Sequence, residues 1–312
     1  MTILLQLLFF LLIGPVSIGL IRKVHARLEG RSGAPVIQPF RRFGQLWKKE
    51  TIEPTGASAI FRFAPYVLLG TSLTIAAVGP FIATSDGLGS SSDLFVVVGL
   101  LFLGNITMAL AGLDLGTSFG GMGASRELTV SSLVEPTLLI AIFALSIPAG
   151  TSSLDAICRT ALSDPGRLLT PADLLALGAF VVVVIAEAKR LPIDNPTTHL
   201  ELTMIHEAML LEYSGPRLAV IEWASDIRLA LLLGLIANLF FPLGIANHQA
   251  NVAMFVISIT VLVVKVLLLA TLIALAETAI TKIRLTRVPE LLSGSFILAF
   301  LATLISFFVS SR

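Results

Sequence analysis

Residues 94–113 read LFVVVGLLFLGNITMALAGL, a run of 20 residues without a charged side chain. A helix needs about 20 mainly apolar residues to cross the hydrocarbon core of a bilayer. Helices satisfy their own backbone hydrogen bonds within lipid, so this run predicts a membrane-spanning helix. Further charge-free runs occur at 1–21, 63–85, 136–154, 229–264 and 291–311.

The number of spans follows from two adjustments to these runs. The run 229–264 is too long for one helix, and Pro242 and the polar turn 247–251 interrupt it, so it predicts two helices. The second of these continues through Lys265. A further stretch, 174–186, is charge-free over only 13 residues and needs its polar flanks to cross. The predicted spans are 1–21, 63–85, 94–114, 133–150, 172–188, 227–246, 252–280 and 291–310. The sequence therefore predicts an all-α, polytopic integral membrane protein of about eight transmembrane helices, with residues 1–312 forming a single domain.

Composition supports this class and limits the chemistry. Of the 312 residues, 55% are hydrophobic and only 13% are charged. The 21 Lys and Arg residues nearly balance the 20 Asp and Glu residues, so the net charge offers no argument for nucleic-acid binding. Cys158 is the single cysteine, whereas an iron–sulfur cluster needs about four thiolates. We therefore expect that this chain binds no cofactor and that any metal redox chemistry belongs to partner subunits.

The distribution of positive charge predicts the topology. Most Lys and Arg residues lie in loops 22–62, 115–132, 189–226 and 281–290 or at the adjoining helix ends, whereas the alternate loops hold only Arg159 and Arg167. Positively charged loops stay on the cytoplasmic side, so we expect both termini outside the cell (inner or plasma) membrane. No basic region precedes the first run and no small-residue cleavage site follows it, so a retained span is favoured over a signal peptide.

Loop 22–62 contains a second kind of helix. Phe40, Phe43, Leu46 and Trp47 recur at helical spacing with basic residues beside them. This pattern is typical of an amphipathic helix that lies in the headgroup plane. Such a helix serves as a basic anchor on anionic lipid, and a partner-facing role is compatible with that.

Ionisable residues inside or at the rim of the predicted spans are candidate functional groups, because burying a charge in a membrane is costly. They are Asp114, Glu135, Glu187, Lys265 and Glu277. One interpretation is a proton relay across part of the bilayer, and the other is a set of satisfied polar contacts between helices. Lys265 and Glu277 lie about 18 Å apart along one helix, so they cannot pair directly.

The stretch 190–215, RLPIDNPTTHLELTMIHEAMLLEYSG, is a polar island between apolar spans. It predicts a docking and coupling loop, with a helix from about Thr197 that is buried on several sides. His199 and His206 do not have zinc-ligand spacing, so we expect titratable surface histidines and no metal site. No nucleophile–base pair indicates catalysis. The candidate residues of the loop are Arg190, Asp194, His199, Glu201, His206, Glu207, Glu212 and Tyr213.

The chain resembles, essentially end to end, the subunit-1-type membrane protein of respiratory complex I. Residues 22–35, RKVHARLEGRSGAP, are similar to the basic first loop of that family, and the stretch 112–135 aligns with it without a gap. The large loop matches at its start and its end. The residues that carry the resemblance are Gly123, Ala124, Arg126, Glu135, Glu187, Arg190, Pro192, Asp194, Glu201, Leu202, Glu212, Tyr213, Ser214 and Gly215.

The departures from complex I are similar to the counterpart in membrane-bound NiFe hydrogenases of the formate hydrogenlyase and energy-converting kind. The segment 201–212 is three residues longer, His199 replaces an expected glutamate, and Ser118 replaces an expected lysine. These changes fall where the complex I subunit lines its quinone tunnel. The resemblance therefore favours a hydrogenase branch over a quinone-binding one.

This resemblance implies a membrane-anchoring, proton-coupling subunit without a redox centre of its own. The implied partners are the NiFe hydrogenase large and small subunits, an iron–sulfur subunit, antiporter-like membrane subunits and the lipid bilayer, with the NiFe centre and iron–sulfur clusters in the partner subunits. The alternatives are a quinone-site subunit of complex I, a free-standing transporter and a purely structural anchor.

Overall fold

The computed structural model describes residues 2–84, 92–163, 170–194, 204–247, 252–280 and 283–310. Of these residues, 79% are helical and almost none are in strands, which confirms the predicted all-α class. The helices are α1 (Thr2–Leu28), α2 (Gln38–Trp47), α3 (Ala59–Val78), α4 (Leu94–Asp114), α5 (Ser118–Ala149), α6 (Leu154–Ser163), α7 (Pro171–Glu187), α8 (His206–Leu210), α9 (Gly215–Leu239), α10 (Val252–Ala279) and α11 (Val288–Ser310). Two short strands, β1 (Ala83–Thr84) and β2 (Ala246–Asn247), pair in parallel.

Six of the described helices are long and apolar enough to cross a membrane: α1, α3, α4, α5, α10 and α11. The other two predicted spans correspond to α7, which has 17 residues, and α9, whose first half carries several charges. The predicted count of about eight is therefore approximate. Helices α7 and α9 carry Glu187 and Arg228, two charged residues that are buried inside the bundle.

Several helix ends differ from the predicted span limits. Helix α3 stops at Val78 rather than 85 because Pro80 follows and lacks a backbone N–H. Helix α5 begins inside the predicted loop 115–132, where the Thr117 hydroxyl accepts a hydrogen bond from Gly120 N–H at 3.3 Å. At 32 residues, α5 is about 48 Å long. It therefore exceeds a hydrocarbon core of about 30 Å, and one end extends beyond it.

Helix α9 is the central helix of the bundle. Every residue from 227 to 239 is buried, and the helix contacts α1, α2, α3, α7 and α10. In contrast, less than a third of the residues in the apolar windows of α10 and α11 are buried. Because protein rather than lipid surrounds α9, it can carry charged residues that a lipid-facing helix could not.

The predicted amphipathic helix is confirmed as α2. Its buried residues include Phe43 and Leu46, and the Phe43 ring stacks on Trp223 of α9 with ring centroids 5.6 Å apart. Trp47 is 53% exposed. One face of α2 is therefore held by the protein, and the other remains available to the membrane surface.

Close packing of α1 against α9 depends on Gly14. A Cβ atom at this position would lie 2.8 Å from Ile227 N and 2.9 Å from Asp226 O, both backbone atoms. Small residues allow such close approach between membrane helices. At Gly70, which is exposed on α3, an added Cβ atom would meet nothing within 4 Å.

We predict that Gly14→Val lowers the free energy of unfolding by about 1–3 kcal/mol, because the side chain must push two backbones apart. The matched control Gly70→Val should cost less than about 1 kcal/mol, since it meets open space in an exposed helix interior. Unfolding of the purified protein in detergent measures both values. Equal losses for the two variants would contradict the proposed backbone contact.

Candidate functional site

Four buried polar side chains meet where α4, α5, α7 and α9 converge. They are Asn105 on α4, Glu135 on α5, Glu187 on α7 and Arg228 on α9, each at most 8% exposed. Asn105 Nδ2 donates to Glu135 Oε1 at 2.9 Å and to Glu187 Oε1 at 3.0 Å. Arg228 forms an ion pair with Glu187 and donates to Leu101 O at 2.8 Å. We call these four residues the buried cluster.

The charges of the buried cluster do not balance when both carboxyl groups are ionised. One guanidinium faces two carboxylates, and an unpaired charge in this setting is costly. A proton on one of the two carboxyl groups would restore the balance. Among the described residues, neither Glu135 Oε2 nor Arg228 Nε has a hydrogen-bond partner. The cluster therefore has the composition of a site that can take up and release a proton.

Local sequence features position the cluster. A Cβ atom at Gly104 would lie 2.8 Å from Arg228 Nη1, so a glycine beside Asn105 leaves room for the guanidinium. Helix α7 ends with Glu187, and Lys189 then adopts φ 55°, the left-handed conformation that often terminates helices. It is the one non-glycine residue with positive φ in the part of the chain that the structure describes. This turn leads the chain from the buried cluster into the coupling loop.

A cavity of about 120 Å³ connects the buried cluster to this loop. Its wall includes Glu187 and Arg228 on one side and Lys189, His206 and Glu207 on the other. Further charged residues from α1, α2 and α9 complete the lining; they are Arg22, Arg42, Glu222 and Asp226. Because the lining is rich in polar groups, the cavity suits water and can join the loop to the buried carboxyl groups.

His206 occupies the loop side of this cavity and is half-buried rather than a free surface histidine. Lys189 Nζ lies 2.7 Å from His206 Nδ1 and 3.1 Å from Glu127 Oε1. Because an ammonium group only donates, His206 Nδ1 accepts. Burial, followed by the charges of Lys189 and Arg228, lowers the pKa of His206 well below its usual 6.5. The expectation of a titratable surface histidine is therefore wrong for His206.

The rest of the described loop is fastened to the bundle. His206 N–H donates to Asp194 Oδ2 at 3.2 Å, and Arg126 Nη1 donates to Met204 O at 2.8 Å. At Gly123, an added Cβ atom would lie 2.8 Å from Ile205 O, so only glycine admits the loop this closely. The loop thus rests directly on the protruding end of α5.

Tyr213 closes the far end of the loop. Its ring stacks on Phe61 with ring centroids 4.0 Å apart, and its hydroxyl donates to Phe61 O at 2.9 Å. Burial is the main cause of an upward shift in the pKa of Tyr213, so the hydroxyl stays protonated. Glu212, beside it, is half-buried.

The remaining predicted relay residues lie apart from the buried cluster. Asp114 Oδ2 accepts a hydrogen bond from Ser58 N–H at 2.8 Å, about 14 Å along α4 from Asn105. Lys265 donates to Ala237 O at 3.3 Å and so caps the C-terminal end of α9.

Glu277 pairs with Arg190 at 3.5 Å, and both side chains are buried. This pair joins α10 to the start of the coupling loop. His199 and Glu201 lie outside the described residues.

Sequence reasoning missed Asn105, Arg228, Lys189 and Glu127. Asn105 is a carboxamide within an otherwise apolar run, which is the signal that could have identified it. Arg228 was counted only as a positive charge at a helix end. The described residues include no group of three or more His, Cys, Asp or Glu side chains placed to hold a metal ion.

Comparisons with known proteins agree with the motif-based resemblance. Residues 1–308 match the NADH dehydrogenase family. Hydrogenase-4 component C of Escherichia coli (strain K12) is 33% identical over 298 residues, which are 95% of this chain and 92% of that protein. Formate hydrogenlyase subunit 4 of the same organism is 30% identical over 96% of both chains.

A solved structure shows the same fold. It belongs to the membrane-bound sulfane sulfur reductase, an archaeal respiratory membrane complex, and aligns with a TM-score of 0.81 over 98% of this chain and 100% of that one, at 19% sequence identity. The predicted resemblance to complex I and hydrogenase membrane subunits is confirmed. The chain belongs to the NADH dehydrogenase family, as a membrane subunit of the complex I subunit-1 type.

Proposed function

We propose that this chain is the membrane-anchoring and proton-coupling subunit of a membrane-bound NiFe hydrogenase complex. It docks the hydrogenase large and small subunits and an iron–sulfur subunit on its loop face, and it joins antiporter-like subunits within the bilayer. The NiFe centre and iron–sulfur clusters of those partners supply the chemistry that interconverts protons and hydrogen. With Cys158 as its single cysteine, this chain lacks the thiolates to hold such a cluster.

The observation that carries this proposal is the continuity between the buried cluster and the loop. Glu187 lines the same cavity as His206 and Glu207, and Lys189 follows Glu187 by two residues. A change in the loop on which partners dock therefore acts directly on the wall of the proton-binding cavity. A solvated surface loop with no such cavity would offer no physical connection between the two.

The residues suggest how a proton would move. Water in the cavity brings a proton to Glu187 from the loop side. The Asn105 amide nitrogen donates hydrogen bonds to both Glu187 and Glu135 and so keeps the two carboxyl groups close together. Arg228 pairs with Glu187 and so holds its carboxyl group at the cavity wall. Moving one charge against 100 mV costs about 2.3 kcal/mol, a load that a conformational change in the loop can supply in steps.

Two observations favour a hydrogenase partner over the quinone alternative. The two Escherichia coli relatives are components of hydrogenase-4 and formate hydrogenlyase. In addition, the cavity of about 120 Å³ formed by the described residues is smaller than the roughly 300–1,000 Å³ that ligand pockets of drug-like size usually occupy. It suits a few water molecules better than a quinone ring.

We predict that Glu135→Gln reduces proton translocation per hydrogen molecule by at least about tenfold, because the amide cannot exchange a proton in the relay. Hydrogen evolution by the assembled complex should be retained. Inverted membrane vesicles that report both hydrogen and acidification measure the ratio. Glu135 is the better target than Glu187, since breaking a buried ion pair typically costs about 3–5 kcal/mol and threatens folding.

Glu290→Gln is the matched control, because Glu290 is an exposed carboxylate at the start of α11. It should leave the ratio unchanged. If Glu135→Gln assembled and pumped normally, the purely structural anchor would be the better interpretation.

A second prediction concerns His206 and pH. Its pKa is lower in the folded protein than the usual 6.5, so the unfolded chain binds the proton more readily, and stability falls as pH drops below about 6.5. This loss approaches about 1.4 kcal/mol per pH unit until the folded-state pKa is reached. His206→Gln keeps an acceptor for Lys189 but cannot titrate.

Unfolding measurements between pH 8 and pH 5 should therefore show a steeper loss for the native protein than for the His206→Gln variant. Parallel curves for the two proteins would show that His206 is solvated and titrates normally. The absolute stability of the variant is not the readout, since only the slope reports the histidine.

The NiFe hydrogenase complex and the complex I alternative differ in metal content and in their response to inhibitors. The purified assembly should contain nickel and evolve hydrogen, and quinone-site inhibitors should leave that rate unchanged because hydrogen evolution by the proposed complex does not use a quinone. A complex without nickel whose quinone reduction is blocked by those inhibitors would instead identify the complex I alternative.

A further inference from the structure

A second cavity lies between α5 and α11, apart from the buried cluster. Its volume is about 250 Å³, several times the roughly 30 Å³ share of one water molecule. Val288 and Leu292, both almost fully buried, contribute to its floor, and Val130 forms part of one wall. Ser125 and Thr129 are exposed at its rim. It is an amphipathic crevice, apolar at the bottom and polar where it opens.

The crevice lies at the ends of two predicted spans, where we expect the headgroup layer. It lies against the first turns of α11 and the part of α5 just before the predicted span 133–150. Leu292 is about 6 Å along α11 from Val288, where the helix begins. Residues 125–130 precede the predicted span 133–150 by about 5–12 Å along α5, a distance that corresponds to the headgroup layer.

Arginine side chains lie in the lining of the crevice and in the segment beside it. Arg126 is part of the lining, and Arg284 and Arg287 are exposed in the segment that leads into α11. Glu290 is the one carboxylate near the start of α11 in the described residues. Basic pockets between transmembrane helices attract anionic lipid headgroups.

We propose that the crevice between α5 and α11 binds an anionic phospholipid, with the headgroup phosphate at Arg126 and Arg287 and the first carbons of an acyl chain on Val288 and Leu292. An anion without an acyl chain would not use the apolar floor, and a zwitterionic lipid would gain little from the arginines. The apolar bottom of the crevice and the arginines at its opening therefore favour an anionic phospholipid over either of these.

The bound lipid would also affect the coupling loop. Arg126, which lines the crevice, donates from Nη1 to Met204 O at 2.8 Å. A phosphate held at the same guanidinium would help to fix its position and thereby the start of the described loop segment. The lipid site is nevertheless independent of the proposed hydrogenase role, because it rests only on α5, α11 and the segment between 283 and 292.

The test uses photo-crosslinkable phosphatidylglycerol and phosphatidylcholine in nanodiscs that hold the complete complex. Mass spectrometry then locates the crosslinks. We expect labelling of segments 120–130 and 284–292 by phosphatidylglycerol to exceed that by phosphatidylcholine by about fivefold for each arginine engaged. Arg287→Gln should weaken the labelling by about fivefold, and Arg41→Gln, which removes an exposed arginine from α2, should not.

A second pair of variants tests the crevice itself. Val130→Phe fills it and should remove most of the labelling, whereas Val256→Phe adds the same bulk to an exposed position of α10 and should not. Equal labelling by the two lipids, equal effects of the two Phe variants, or loss of labelling with millimolar glycerol phosphate would each overturn the proposal. Labelling that occurs only after neighbouring subunits are stripped away would do so as well, because a protein would then cover the crevice.

Discussion

A charged group inside a membrane protein must be paired, and the ion pair between Glu187 and Arg228 is the constraint on which the bundle depends. Lipid offers no partner to a guanidinium, so α9 must be enclosed by other helices. This enclosure explains why residues 227–239 are all buried and why α10 and α11 occupy the periphery. It also explains the close glycine contact between α1 and α9, since the central helix must be approached tightly from several sides.

Sequence patterns predicted the helices well and the contacts between them poorly. Runs of apolar residues report the thickness of the bilayer, and the spacing of Phe43 and Leu46 reports an amphipathic face; both signals are local. Which charges meet is decided by how distant helices pack. Glu135 and Glu187 were thus found as costly residues, but their bridge through Asn105 was not, because it joins positions 30 and 82 residues apart. Glu277, identified by the same rule, pairs with Arg190 beside the loop instead.

The family relationship and the geometry address different parts of the function. Similarity to components of hydrogenase-4 and formate hydrogenlyase indicates a multisubunit membrane complex, whereas the polar cavity supports the proposed proton-coupling role of the chain in it. The solved structure at 19% identity shares the fold and adds nothing on function. The small polar cavity and the hydrogenase-like loop sequence favour the same branch of the family. The proposed lipid crevice would let membrane composition act on the same loop.

The length of α5 has a mechanical consequence. This one helix carries Gly123 and Glu127, which contact the loop, and also Glu135 inside the bundle, about 18 Å along the helix from Gly123. Pro136 cannot donate a backbone hydrogen bond to Ser132 O, so the helix bends most easily in the turn 132–136, which contains Glu135. The part of α5 that precedes this turn, residues 118–131, can therefore tilt about a point close to the Glu135 carboxyl group. A small sideways force on residues 118–131 would change the distance from Glu135 to Asn105 directly. No chain of side chains between the loop and Glu135 is needed.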